Sequence, residues 1–176
     1  MHKSIDRLDD DELKICEIHK HPFGIFMIYV QAFIGVVIAL ALAYFLLPSV
    51  LGRDTGLAIA NGFMVFVIVV AAVLLLGATY IYFQSRLIVT DKNITQILQA
   101  GLFNRKISQL TMVNVEDVTS DQRGFFATIF DFGVLKIETA GEQVNFHFAF
   151  CPRPSYYAKI ISDAREQYIE HSDDLK

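Results

Sequence analysis

Two long apolar runs, residues 23–47 and 57–83, dominate the first half of the chain, with a short polar break between them. Neither run contains Asp, Glu, Lys, Arg or His. A bilayer core is crossed by roughly 20 apolar residues at about 1.5 Å of helical rise each, so both runs are long enough. A core helix of a soluble protein is rarely apolar on every face over such a length. The pattern predicts two transmembrane helices forming one hairpin over 23–83.

After Phe83 the period shortens to two, and strands are predicted at 86–90, 94–99, 107–112, 115–120, 134–139 and 144–150. The last is the clearest: Val144, Phe146, Phe148 and Phe150 alternate with Asn145, His147 and Ala149, as in a sheet with one buried face. Turns are expected at 91–93, 100–101 and 140–142, and a loop with a helical turn at 124–131. Pro152 and Pro154 end the sheet. From 154 to 169 an amphipathic helix is predicted, with Tyr157, Ile160, Ile161, Ala164 and Tyr168 on one face. Antiparallel strands closed by one such helix predict a small barrel or sandwich with a helical cap. Before the hairpin, residues 1–22 read as a separate charged segment, where Ile5, Leu8, Glu12, Ile15 and Ile18 have the spacing of a short amphipathic helix. Residues 84–170 read as the β domain, and 171–176 as a polar tail.

Composition sharpens this picture at three points. The chain is 53% hydrophobic over 176 residues, an excess that the two spans account for. Its formal net charge is −4, whereas a nucleic-acid binder presents a basic surface, so no nucleic-acid partner is expected. Cys16 and Cys151 stand far apart without metal-type spacing, which favours two reduced thiols over a disulfide. Orientation follows from the cations near the span ends. Lys3, Arg7, Lys14 and Lys20 precede the first span and Arg86, Lys92, Arg105 and Lys106 follow the second, while the break carries only Arg53. The positive-inside rule then places both termini in the cytoplasm, in a multi-pass protein of the cell membrane. The first span starts too late, and lacks the cleavage site, for a typical signal peptide.

Candidate chemistry is sparse. Asp9, Asp10, Asp11 and Glu12 lack the alternating ligands of a calcium loop and read as a solvated turn. His19 and His21 flank Lys20 without a third ligand, so no metal or other cofactor is expected. No phosphate loop, CxxC, HExxH or GxSxG occurs, and His147, Ser155 and Asp163 form a triad only by arbitrary choice. No enzyme is expected. Within the spans, Gly35, Ala39 and Ala43, then Ala58 and Gly62, recur every fourth residue, a spacing that lets helix backbones approach, within the hairpin or against a second copy. Gln31 and Asn61 are the notable polar residues there, able to hydrogen-bond between helices. Without an intramembrane charge, a transport pathway is not indicated. Arg105 and Lys106 form the one adjacent basic pair in the β domain, and Arg123 stands beside Phe125 and Phe126. All three cations are candidate lipid contacts, with core packing of Phe125 and Phe126 as the expected alternative.

Several stretches carry a resemblance: Leu87-Ile88-Val89-Thr90-Asp91, Gln99-Ala100-Gly101-Leu102-Phe103, Val115-Glu116-Asp117-Val118, and the run from Phe132 to Gly141. In that order, after a pair of spans, they resemble the bacterial pleckstrin-homology-like domain of the YdbS-like membrane proteins. Two positions depart from the pattern: Asn93 or Ile94 stands where the first turn usually has Arg, and Asp131 where the fifth-strand motif has Gly. The resemblance implies a seven-stranded, helix-capped pleckstrin-like fold on the cytoplasmic face, without enzymatic activity. The expected role is docking, assembly or regulation of a membrane partner or a homo-oligomer. Anionic-lipid or envelope-stress sensing, and a small subunit of a transporter or channel, stand as alternatives.

Overall fold

The computed structural model of the chain describes residues 12–139 and 145–173. It divides into two compact units: residues 22–82, and the described residues up to His21 together with those from Phe83 onward.

The first unit is the hairpin. Helix α1 spans Phe23–Leu51 and α2 spans Arg53–Gln84. Both are long and apolar enough to cross a membrane. The polar break expected at 48–56 is almost wholly helical instead. Backbone hydrogen bonds do not require apolar side chains, and Asp54 lies in the first turn of α2, where an acid favours the helix dipole. The chain reverses at Gly52, whose φ of 84° suits glycine. A Cβ added to Gly56 would collide with the backbone of Pro48, so the two helices meet closely just beyond the turn. Farther along, the Tyr44 hydroxyl donates to Asn61 Oδ1 at 2.5 Å, and the Tyr29 and Thr79 hydroxyls lie 2.7 Å apart.

The second unit is a two-sheet β domain. Strands β1 (Lys14–His19), β2 (Arg86–Thr90), β3 (Asn93–Gln99) and β4 (Arg105–Thr111) form one antiparallel sheet in that order. Strands β5 (Val115–Asp121), β6 (Phe132–Thr139) and β7 (Phe146–Pro152) form the other. A 3-10 turn at Met112–Asn114 links the sheets, a short helix α3 (Phe125–Phe130) joins β5 to β6, and α4 (Pro154–Asp173) closes the fold. Seven strands among the described residues, with a carboxy-terminal helix, agree with the expected pleckstrin-like architecture.

The amphipathic helix expected before the hairpin is corrected over its described part. Lys14–His19 is a strand, with Ile18 opposite Leu87 and His19 opposite Arg86 on β2. The hairpin is thus spliced into the sheet between its first two strands. Ile15 and Ile18 fit a helical face by spacing, but Ile18 is fully buried against core residues that follow the hairpin, and that burial decides the conformation. Ile5 and Leu8 of the expected helix lie outside the described residues, as do the turn at 140–142, Val144 and the end of the polar tail.

Ile18, Leu87, Val89, Ile94, Leu135, Ile137, Phe146, Phe148 and Ile161 form the heart of the core. Gln96 is buried among them and donates from Nε2 to the His147 carbonyl at 2.9 Å, joining β3 to β7 across the two sheets. The predicted Phe stripe holds for Phe146 and Phe148, then breaks. Phe150 adopts φ 56° beside a register shift at Gly133/Val134, so Cys151 turns inward and β7 continues to Pro152. Ala158, Ile161 and Ala164 are the buried face of α4, with Tyr157 and Tyr168 packed against the core. Asp131, where the resemblance had Gly, sits in the left-handed region at φ 50°, ψ 55° and caps α3. Aspartate is one of the few non-glycine residues that visit this region readily, so the departure leaves the turn intact.

Candidate lipid and partner interface

The register of the first sheet defines one end of the β domain. His19 pairs with Arg86, Arg86 with Ile97, Ile97 with Ile107 and Gln99 with Arg105. The last residue of β1, the first of β2 and the β3–β4 turn at 100–104 therefore lie at the same end. Ser85 reinforces it, accepting from the Gln99 N–H at 3.2 Å.

His21 connects that end to the second sheet. Its N–H donates to the Phe150 carbonyl at 2.6 Å, and its ring stacks on Phe132 with centroids 5.3 Å apart. Phe132 opens β6 directly after α3 and packs on Phe150 at 5.7 Å. Burial lowers the His21 pKa by disfavouring the charged ring, and the Asp131 carboxylate, which favours the charged ring, offsets part of that. His19 turns elsewhere, with Nε2 3.4 Å from Glu17 Oε1, so the two histidines serve different partners. Glu17 also receives Lys14 and, at 3.3 Å, Arg86 Nη1. The Lys14 hydrogen bond and the surrounding cations hold its carboxyl below the usual range, against a smaller opposing effect of burial.

At this end Arg105 and Lys106 are exposed at the start of β4, with Asn104 between them and Leu102 and Phe103 of the turn. Arg123 is also exposed, with Nε 2.7 Å from Asp121 Oδ1. Burial would raise the Asp121 carboxyl, but hydrogen bonds and charge from Lys136 and Arg123 outweigh it and keep the pKa low. The expectation that Phe125 and Phe126 join the core is corrected, since both are exposed and contact one another edge to face. Helix α3 is only six residues long, under two turns, between Gly124 and Asp131, and only Ala127 of its residues is buried. Beneath it a pocket of about 170 Å³ is lined by residues including Asp121, Arg123, Phe132 and Phe150.

The small-residue positions of the hairpin divide. Gly35 and Ala39 line an apolar groove of about 430 Å³ together with Ala71 and Ala78, and a Cβ at Gly35 or at Gly62 would meet nothing within 4 Å. Ala43 is half-buried and Ala58 exposed. The close helix contact instead uses Gly56 and the fully buried Ala60, which the every-fourth-residue pattern did not single out. Asn61 accepts from Tyr44 within the hairpin, and Gln31 is exposed. His147, Ser155 and Asp163 are all exposed, and the Ser155 hydroxyl lies 3.2 Å from that of Ser120. Cys16 and Cys151 both pack at the core, and burial, helped by the nearby Cys16 thiol, pushes Cys151 up to about 12.

Comparison with curated proteins and with solved structures finds no match. The family described as Bacterial PH domain does match, over residues 25–165. That stretch takes in the hairpin as well as six of the seven strands and most of α4, in agreement with the architecture above. The chain belongs to the Bacterial PH domain family.

Proposed function

We propose that the hairpin crosses the cytoplasmic membrane and holds a PH-like interaction module at the inner leaflet, where it docks, assembles or regulates a membrane partner or a second copy of the chain. The observation that carries this reading is the splice of the hairpin between β1 and β2. Strands that pair across an inserted segment must lie on one side of any bilayer which that segment crosses, so two crossings fit and one does not. The cations flanking both spans support the cytoplasmic side. A PH-like fold is generally an interaction module rather than an enzyme, and the order of motifs supports placing the chain among the YdbS-like members. The groove lined by Gly35 and Ala39 offers a face on which a second hairpin could pack.

Purification of the full chain in mild detergent should recover a stoichiometric partner or a defined homo-oligomer. Deletion of 86–176 should abolish that association, and so should deletion of 1–21, which removes β1. A monomer that captures nothing, or an association indifferent to both deletions, would refute the docking role.

A second reading is anionic-lipid or envelope-stress sensing. It is favoured by the exposure of Arg105 and Lys106 at the end of the sheet where β1 ends and β2 begins. Each such cation near an anionic surface is worth about 1 kcal/mol, so the effect must fall with salt. Measured in nanodiscs, protection of this edge that ignores both anionic lipid and salt would remove this reading.

A further inference from the structure

From the exposed apolar side chains of the β domain we infer that it has a bilayer-inserting edge made of two separate tips. One is Leu102 and Phe103 in the β3–β4 turn, and the other is the outer face of α3, with Phe125, Phe126, Ile129 and Phe130. The inference rests on the membrane-crossing reading of the hairpin and adds a lipid-binding surface to it.

Exposure comes first. Phe103 is 100% and Phe125 73% exposed, and the other four side chains lie between 48% and 58%. A folded domain tolerates single exposed apolar residues, but phenylalanines grouped at one end mark a contact surface. The remaining exposed large apolar side chains of the described domain residues, apart from Phe83 at the end of α2, are Leu13, Ile15, Val113 and Tyr156. Leu13 and Ile15 flank Lys14, which pairs with Thr90 at the far end of β2, and Val113 follows Thr111, which pairs with Asn93 at the far end of β3.

Placement comes second. The β3–β4 turn lies at the end of the first sheet where β1 finishes and β2 begins, and there the chain departs for and returns from the apolar helices. Helix α3 leads straight into Phe132, the residue on which His21 stacks one step before Pro22 opens the hairpin. Both tips therefore lie at the end through which the tether passes. If the tether enters a bilayer, the acyl boundary just beneath its headgroups is the apolar environment closest at hand.

Charge comes third. The chain is acidic overall, yet each tip is bordered by exposed cations: Arg105 and Lys106, separated from Phe103 by Asn104, and Arg123, ion-paired with Asp121 and separated from Phe125 by Gly124. Apolar groups that enter the acyl boundary while adjacent Lys and Arg remain at headgroup level are the usual composition of an interfacial contact. Two protrusions with cations behind them match a fluid lipid surface better than a shaped protein groove. The occupant inferred is therefore the bilayer interface.

The test uses the full chain, one copy per nanodisc, of phosphatidylcholine with or without phosphatidylglycerol. An environment-sensitive fluorophore is attached at Phe103→Cys, Phe126→Cys, Val113→Cys or Val37→Cys, with both native cysteines replaced by alanine. Insertion predicts that emission at 103 and 126 falls by roughly half or more with a shallow lipid-borne quencher, as for groups about 5–10 Å into the headgroup and acyl boundary. Those two labels should resist aqueous iodide, and the label at 113 should show the reverse. Lipid quenching at 37 checks the anchor. If 37 is quenched while 103 and 126 behave like 113, the inserting edge is refuted and the anchor stands; if 37 is not quenched, the anchor itself is refuted. Shielding of 103 and 126 from iodide without lipid quenching would show a protein contact and overturn the lipid assignment.

Discussion

Replacing Ile18 by alanine should destabilise a domain that lies almost entirely on the other side of the hairpin in sequence. Ile18 is 0% exposed and packs in the cluster with Leu87, Leu135 and Phe148. The change removes three carbons, at about 0.8 kcal/mol each, for a transfer loss of ~2.4 kcal/mol. A residual cavity of roughly 40–60 Å³, at about 24 cal/mol per Å³, adds ~1–1.4 kcal/mol. The total of ~3–4 kcal/mol falls within the usual range for such truncations. Ile15, on the same strand and 43% exposed, is the matched control, and Ile15→Ala should cost less than ~1 kcal/mol. Pulse proteolysis of the full chain in detergent across a urea series, following the fragment that contains β2–β7, reads both. With a urea slope of about 1–3 kcal/mol/M, the Ile18→Ala midpoint should drop by roughly 1–4 M. Should the variant prove too unstable to purify, Ile18→Val provides a milder step of about 0.5–1.5 kcal/mol. Equal, small shifts for Ile15 and Ile18 would refute the reasoning, because a segment undocked from the β domain would show that result.

Three further outcomes follow from the same structure. The Glu17 pKa is lowered in the fold, so its contribution is complete above the ordinary glutamate value and is lost as pH falls through the folded value. Glu17→Gln should therefore flatten acid destabilisation in that window, as read by thermal unfolding at a series of pH values, and an unchanged profile would count against the Lys14–Glu17–Arg86 cluster. A Cβ at Gly133 would stand 2.5 Å from the Asp121 carbonyl oxygen, which is backbone and cannot rotate away. Gly133→Ala should cost about 1–3 kcal/mol through overpacking and loosen the β5–β6 pairing, visible as faster hydrogen exchange in 117–121. Cys151, buried and with its pKa raised to about 12, should react with a thiol reagent at pH 8 far more slowly than an exposed thiol until denaturant is added.

The parts of the fold legible in the sequence are those with a strong local signal. Uncharged runs longer than a bilayer crossing yield the hairpin, and two-residue alternation yields β2 to β7 to within a few positions. Strand β1 has no such signal. Its partner β2 lies beyond the whole hairpin, and a short charged stretch with apolar residues three apart satisfies a helix equally well until Ile18 finds its place in the core. The interior contacts of the hairpin were partly hidden for a related reason. Repeated small residues mark where backbones can approach, but the turn at Gly52 decides which of them do, and it selects Gly56 and Ala60. The cations Arg105, Lys106 and Arg123 were visible as candidates. That the turn beside Arg105 and the helix beside Arg123 both lie at the end where the chain departs for the hairpin depends on strand register and on the contact of His21 with Phe132 and Phe150. Phe125 and Phe126 are not legible as exposed because aromatic burial is the default, and it fails where Gly124 and Asp131 confine the helix to six residues.

The central claim is that one β module is assembled from both flanks of a segment that crosses the membrane twice. Its most direct test combines a cysteine pair, His19→Cys with Arg86→Cys, and a protease site inserted at Gly52. Directly opposed residues of antiparallel strands have Cα atoms about 4.5–5.5 Å apart, within the range a disulfide spans. With Cys16 and Cys151 replaced by alanine and the 19–86 pair oxidised by a membrane-permeant oxidant such as diamide, which takes the two electrons and two protons of the thiols, protease added outside intact spheroplasts should cut the chain at the inserted site, and the two halves should remain joined on a non-reducing gel and separate on reduction. Halves that separate without reductant, or a site cut only after the membrane is opened, would contradict the account.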